Sequence, residues 1–99
     1  MSHLISEIQI VPIKPRDGLV AFSSVVLDHD IYLGGIGIYT RPGGGYRLSY
    51  PTRRSGTSDF SIYHPIHREM SEALSEVIIS KYEEVTNNYD RHDNLTPEE

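Results

Sequence analysis

The 99-residue sequence predicts an α+β domain, in which an antiparallel β-sheet of about five strands carries one C-terminal amphipathic helix. Two observations predict this class. Segments rich in β-branched and aromatic residues, separated by turns containing Gly, Pro or Asp, occupy the chain as far as residue 63. From residue 66 the apolar residues recur at helical spacing instead. One helix covers such a sheet incompletely, so we expect a second copy of the chain to close part of it.

The first two strands are predicted at residues 5–13 and 19–27. Ile8 and Ile10 alternate with polar residues in the first strand, and Pro12 suits a strand end or a sheet edge. A turn at residues 15–18 (Pro-Arg-Asp-Gly) joins the two strands. The run Asp-His-Asp at residues 28–30 could be an acid–base or metal cluster. Its position between two strands favours a turn, in which Asp side chains accept backbone hydrogen bonds.

The third and fourth strands are predicted at residues 31–40 and 46–50, around a glycine-rich hairpin loop at residues 41–45. Gly34, Gly35 and Gly37 remove side chains from the third strand and indicate a bulge or a close approach by another backbone. Neither glycine run follows a strand and opens a helix, so neither is predicted to bind phosphate as a Walker or Rossmann loop does. Tyr46 and Tyr50 share one face of the fourth strand, whereas Arg47 lies on the other.

Residues 52–59 are predicted to form a polar loop, and residues 60–63 a short fifth strand. A helix is expected from Ile66 to about Val85. Its apolar positions are Ile66, Met70, Ala73, Leu74, Val77, Ile78, Tyr82 and Val85. Residues 1–86 therefore form one predicted domain, and residues 87–99 a mobile acidic tail with little to bury.

The charge distribution is uneven along the chain. The formal net charge is −5, and the six acidic residues from Glu83 onward against Arg91 alone account for all of it. No acidic residue occurs between Asp30 and Asp59, where all the charged residues are arginines: Arg41, Arg47, Arg53 and Arg54. This stretch is either an ordinary solvated surface or a contact surface for phosphates.

Several kinds of chemistry find little support in the sequence. Without cysteine the chain has no disulfide, thiolate metal site or cysteine nucleophile. No serine lies in a nucleophile-elbow pattern, so we expect no enzyme activity, cofactor or small-molecule substrate. His64 and His67 have the spacing of metal ligands, but a structural role beside Pro65 is favoured. The N-terminus lacks a signal-peptide pattern and no apolar run could span a membrane, so a cytoplasmic protein is expected.

Four short motifs together resemble the SpoVG family of small bacterial septation and gene-regulatory proteins. They are residues 51–54 (Pro-Thr-Arg-Arg), Phe60, residues 64–66 (His-Pro-Ile) and residues 81–82 (Lys-Tyr). The resemblance spans residues 8–85. It implies a homodimer formed through the sheets that binds DNA, RNA or both.

The same resemblance implies that Arg53 and Arg54 contact nucleic acid, and Arg47 and Arg41 could widen the basic patch. Tyr39, Tyr46, Tyr50 and Tyr63 lie near these arginines in the sequence and could stack on bases or pack within the sheet. The first strand and the glycine-rich third strand are less charged than is usual in the family. The alternative prediction is therefore a protein–protein interaction module without nucleic-acid binding.

Overall fold

The computed structural model describes residues 4–95, with side chains described for residues 4–87. Its elements are β1 (Ile5–Arg16), β2 (Leu19–Leu27), β3 (Ile31–Thr40), β4 (Tyr46–Ser49), β5 (Thr52–Ser55), β6 (Ser58–Ser61) and α1 (Arg68–Leu95). Strands β1 to β4 form an antiparallel sheet in that order, and β5 pairs with β6 in a separate two-stranded sheet. The predicted α+β class with one C-terminal helix is therefore confirmed.

Tight turns set the register of the four-stranded sheet. β1 continues to Arg16, three residues beyond its predicted end, and Arg16 pairs with Leu19. The two-residue loop between them has positive φ at both positions, 53° at Asp17 and 91° at Gly18, as a type I′ hairpin requires. Residues 28–30 form the β2–β3 turn, as predicted, and within it the amide of Asp30 donates to the carbonyl of Leu27 at 3.0 Å. Asp28 Oδ1 accepts a hydrogen bond from the backbone amide of Leu4, just before β1, at 2.9 Å.

A β-bulge interrupts β3 at its glycine pair. Ser23 pairs with Ile36 and Val25 pairs with Leu33, so one residue of β2 faces two glycines of β3. Gly35 adopts a φ of 75°, which side-chain-bearing L-residues rarely adopt. The bulge expected in the glycine-rich third strand is confirmed. It lies next to the part of β3 that pairs with the end of β4, where the chain leaves the sheet.

Helix α1 packs its apolar stripe against one face of the sheet. Leu74, Ile78 and Tyr82 recur every four residues and are buried. They pack against Ala21, Val25, Ile36 and Ile38 of β2 and β3 to form the core. Burying each of the larger aliphatic side chains contributes about 1.5–3 kcal/mol. The core is thus a single layer between the helix and the sheet.

The ends of the helix differ from the prediction. It begins at Arg68 rather than at Ile66, whose side chain is 80% exposed and lies outside the helix. The amide of Ser71 donates to the carbonyl of His67 at 3.1 Å, which closes the first turn. At the other end α1 continues to Leu95, beyond the expected end near Val85. Residues 96–99 of the expected tail lie outside the described residues, and the mobility of residues 87–99 stays a prediction.

No helix from residues 4–95 lies on the other face of the four-stranded sheet. Val11 pairs with Phe22 on this face, and Tyr32 lies near the end of the same surface. Their side chains are 59%, 43% and 70% exposed, respectively. With Gln9, Ser24 and Gly35 they line a shallow depression. The expected incomplete coverage of the sheet is therefore present, on the face that we call the open face.

Within residues 4–95, no helical segment combines the length and the apolar character that crossing a membrane requires.

Candidate nucleic-acid interface

Residues 52–61 form an exposed β-hairpin rather than the loop and fifth sheet strand that the sequence predicted. Thr52 pairs with Ser61 and Ser55 pairs with Ser58, leaving Gly56 and Thr57 as a two-residue turn. Gly56 has a φ of 64°, which fits a type II′ turn with glycine at its first central position. Every residue of β5 and β6 is exposed. This hairpin, which we call the ribbon, contributes nothing to the core.

The ribbon orients its two arginines in opposite directions. Neighbours along a strand alternate between faces, whereas directly paired residues share a face. Arg53 is paired with Phe60, and Arg54 is paired with Asp59. One face of the ribbon therefore carries a guanidinium and an aromatic ring, and the other carries a guanidinium and a carboxylate.

The Arg54 guanidinium lies 3.7 Å from Asp59 Oδ1. Both side chains are more than 60% exposed, so the ion pair contributes little to stability. Its effect on a ligand is larger, because the carboxylate offsets the positive charge that Arg54 presents to a phosphate. Arg53 makes no ion pair with any residue in the described part of the chain, which leaves its charge uncompensated.

The base of the ribbon is anchored to the bulge of β3 and to Tyr50, the residue that follows β4. The amide of Ile62 donates to the carbonyl of Pro51 at 2.9 Å, which holds the two ends of the ribbon together. The hydroxyl of Tyr63 donates to the carbonyl of Gly34 in the bulge at 2.7 Å. The Tyr63 ring also packs edge-on against Tyr50, with 6.1 Å between the ring centroids. These contacts fix where the ribbon leaves the domain.

The environment of this tyrosine pair is partly desolvated. Burial raises the pKa of Tyr63 to about 12, and the neighbouring phenols Tyr50 and Tyr32 add to the rise. Burial also raises the pKa of Tyr50, whose hydroxyl is buried without a hydrogen bond to the described residues. Both phenols are therefore neutral near pH 7 and act as packing groups at the base of the ribbon.

Arg47 and Arg41 lie on the β3–β4 hairpin and not on the ribbon. The Arg47 guanidinium carbon lies 4.5 Å from the centroid of the Tyr39 ring, its cross-strand partner. The amide of Arg41 donates to the carbonyl of Gly45 at 3.0 Å within the loop. The four arginines predicted from sequence thus divide into two pairs on two hairpins, of which only Arg53 and Arg54 lie on the ribbon.

The tyrosines that were candidates for base stacking are engaged in the fold. Tyr46 packs edge-on against Tyr82 of the helix, at 5.1 Å between ring centroids. Tyr50 and Tyr63 pack on each other, and Tyr39 lies under Arg47. Sequence reasoning considered these four and passed over Phe60, whose side chain is 56% exposed. The sequence feature that could have identified it is the polar segment Ser-Gly-Thr-Ser before it. A tight turn in that segment forms a hairpin in which Phe60 pairs with Arg53.

His64 is engaged by a neighbouring side chain. Its Nδ1 lies 2.7 Å from the hydroxyl oxygen of Ser61, the last residue of β6. This contact gives the imidazole a structural role at the junction between the ribbon and the segment leading to α1. Among the described side chains, those of residues 4–87, no three of His, Cys, Asp or Glu come together as a metal site would require.

Five of the ten acidic residues in residues 4–87 lie on the helix. Glu69, Glu72, Glu76, Glu83 and Glu84 are all exposed on α1. Of these, Glu84 lies 3.8 Å from Lys81. The negative net charge is therefore largely carried by an element other than the ribbon.

Fold and site together define a class of small α+β domain, with a four-stranded antiparallel sheet, one long C-terminal helix and an exposed basic ribbon between them. The chain belongs to the SpoVG family, whose model matches residues 3–84. It is similar to a protein of Archaeoglobus fulgidus named "Putative septation protein SpoVG", with 26% identity over 81 residues. The alignment covers 81% of this chain and 94% of that relative.

Proposed function

We propose that this chain is a non-enzymatic cytoplasmic regulator that binds nucleic acid as a homodimer, in processes that include the septation for which its relative is named. The observation that carries the proposal is the ribbon, an exposed hairpin with a cation on each face and no role in the core. A two-stranded antiparallel ribbon fits the major groove of DNA, and guanidinium groups bind phosphates in a fork geometry.

The open face supports the homodimer. Val11, Phe22 and Tyr32 expose apolar surface on a sheet face that the helix does not reach. Soluble proteins seldom leave a contiguous apolar sheet face uncovered, and a two-fold axis can cover two such faces at once. The same symmetry would present the ribbon twice to a nucleic acid.

The negative net charge does not exclude this function. The exposed carboxylates of α1 lie on a different element from the ribbon, and salt screens interactions between exposed charges. Phosphate binding depends on the local charge of the ribbon, where Arg53 is uncompensated. We expect affinity to depend strongly on salt because the contacts are mainly ionic.

A binding screen against duplex DNA, single-stranded DNA and RNA, each titrated with salt, tests the proposal. The informative variant is Arg53→Ala with Arg54→Ala, because these exposed side chains contribute nothing to the core. If each arginine neutralises one phosphate, the double substitution should reduce the magnitude of the slope of log affinity against log salt on duplex DNA by about 1.8 per chain, from about 0.9 per contact. Contact by Arg53 alone would reduce it by about 0.9. On single strands the expected reduction is about 1.4, from about 0.7 per contact.

The matched control is Lys14→Ala with Arg16→Ala, which removes the same charge from exposed positions of β1. This variant should keep the wild-type slope. Equal effects of the two double variants would show that only net charge matters and that the ribbon is not the contact site.

The open face also supports a second function, that of a protein–protein interaction module that does not bind nucleic acid. Absence of binding to all three nucleic acids at low salt would overturn the first function. The open face would then be the surface with which to search for a protein partner.

A further inference from the structure

Phe60 is an exposed aromatic ring on an element that has no core of its own. Its side chain is 56% exposed on β6, and it is not among the apolar residues that pack against the core. Within the described part of the chain its ring makes no aromatic or cation–π contact. A single exposed apolar residue is ordinary, so exposure alone indicates nothing. Its neighbour across the ribbon is what makes it informative.

Phe60 and Arg53 form a directly opposed cross-strand pair. The Cβ atoms of such a pair are about 4.5–5.5 Å apart, so the ring and the guanidinium stem project side by side from one face. Arg53 is exposed and has no ion pair with the described residues. The pair therefore presents an apolar aromatic surface next to an unneutralised cation.

The two faces of the ribbon differ in the ligands that they can bind. The first face carries Arg53 and Phe60, and the second carries Arg54 and Asp59. Asp59 lies next to Arg54 on the second face, where its carboxylate repels a phosphate. The face of Arg53 and Phe60 carries no carboxylate from the ribbon. The charge distribution therefore directs an anionic ligand with an aromatic part to the first face.

We propose that Phe60 and Arg53 form a subsite for one unpaired nucleotide, in which the base stacks on the Phe60 ring and a flanking phosphate binds the Arg53 guanidinium. The inference rests on the proposed nucleic-acid binding and adds the form of nucleic acid that this subsite binds, which is single-stranded. In a duplex the base faces are covered by neighbouring bases, so only an unpaired base can lie on the ring. Stacking requires no particular base, and the subsite is expected to tolerate many sequences.

The chain contains no tryptophan, so Phe60→Trp introduces a single fluorophore at the subsite. Titration with single-stranded oligo-dT and oligo-U should quench its fluorescence, because stacked bases quench an indole directly. A duplex of the same length should quench it far less. The two single-stranded arms distinguish DNA from RNA by their relative affinities.

The control fluorophore is Ser80→Trp. Ser80 is exposed on α1, and Glu76 and Glu84 lie one turn away on either side, on a surface that repels nucleic acid. Its fluorescence should not change on titration. Equal quenching of both variants would show that the oligonucleotide binds without preference for the ribbon, and it would overturn the subsite.

An affinity comparison completes the test. Phe60→Ala should weaken binding to single strands by about 5- to 150-fold, the range measured for loss of one stacked base, and leave duplex affinity unchanged. Wild-type affinity for single strands in Phe60→Ala, together with weakened binding in Arg53→Ala, would overturn the subsite while leaving nucleic-acid binding in place. Equal loss for duplex and single strands would overturn it also. No binding by the unmodified protein would overturn the proposed function itself.

Discussion

The hydroxyl of Tyr63 donates a hydrogen bond to the carbonyl oxygen of Gly34 across 29 positions of the sequence, at 2.7 Å. The contact joins the segment after the ribbon to the bulge of β3. It therefore links the glycine bulge of the core sheet to the position of the ribbon.

We expect Tyr63→Phe to lower the free energy of unfolding by about 1 kcal/mol at pH 7, because the partly buried Gly34 carbonyl loses its donor. The measurement is urea denaturation followed by circular dichroism. The control is Tyr32→Phe, since the Tyr32 side chain is 70% exposed and its hydroxyl has no hydrogen bond within the described residues. A loss of similar size in both variants would contradict the role of the Tyr63 contact.

The same tyrosine predicts a pH dependence. Its pKa is raised to about 12 in the folded chain, against about 10 in an unfolded chain, so folding favours the neutral phenol. The corresponding stability is fully present below pH 10 and is lost as the pH rises from about 10 to about 12. The difference between wild type and Tyr63→Phe should therefore shrink across this window. A constant or growing difference would show that Tyr63 does not titrate in this way.

Gly35→Ala should cost more stability than Gly34→Ala, although the added methyl group at Gly34 has less room. At Gly34 the new Cβ would lie 2.7 Å from the Tyr32 ring, which is exposed and can rotate away. At Gly35 there is space, but the φ of 75° costs an L-residue about 1–2 kcal/mol. Thermal or urea denaturation of the two variants gives the comparison. The reverse order would mean that the Tyr32 ring is fixed in place.

Val11→Lys should dissociate the proposed homodimer. Val11 is 59% exposed on the open face, so a lysine there is compatible with the monomer fold but places two charges against each other across a two-fold axis. Sedimentation velocity at tens of micromolar would compare it with wild type. Ser80→Lys makes the same charge change on the solvent face of α1 and should remain dimeric. A dimeric Val11→Lys protein would move the interface away from the open face.

Asp59→Asn should strengthen nucleic-acid binding, most visibly at low salt. The substitution removes a carboxylate from the ribbon and releases Arg54 from an ion pair that contributes little to stability. A matched carboxylate removal on the helix, Glu76→Gln, should have a smaller effect because Glu76 lies on α1. The measurement is affinity as a function of salt. Unchanged affinity in Asp59→Asn would indicate that the face of the ribbon with Arg54 and Asp59 does not contact phosphate.

Most of the sheet and the helix could be predicted from the sequence, because in both the apolar residues repeat with the period of the element that buries them. The repeat of Leu74, Ile78 and Tyr82 predicted the buried face of α1 correctly. The Asp17-Gly18 turn and the bulge at Gly35 were predictable because both require a φ that few residues adopt. Helix ends were less predictable, since no buried residue marks them.

The ribbon could not be predicted, because it has no buried side to produce a periodic pattern. The residues of β5 are polar or charged, and all are exposed, so they read as a loop. The two strands are joined by a two-residue turn at Gly56, and their other ends are held together by the hydrogen bond from Ile62 to Pro51. The opposite orientations of Arg53 and Arg54, and the position of Phe60, follow from that register.

The closeness of the two ends of the ribbon has a consequence for protein engineering. The Pro51 carbonyl and the Ile62 amide are one hydrogen bond apart, so residues 52–61 leave and re-enter the domain at the same place. A foreign hairpin with the same end-to-end spacing could be spliced between these positions without changing the path of β4 or α1. The domain could therefore serve as a scaffold that displays different hairpins at this one position.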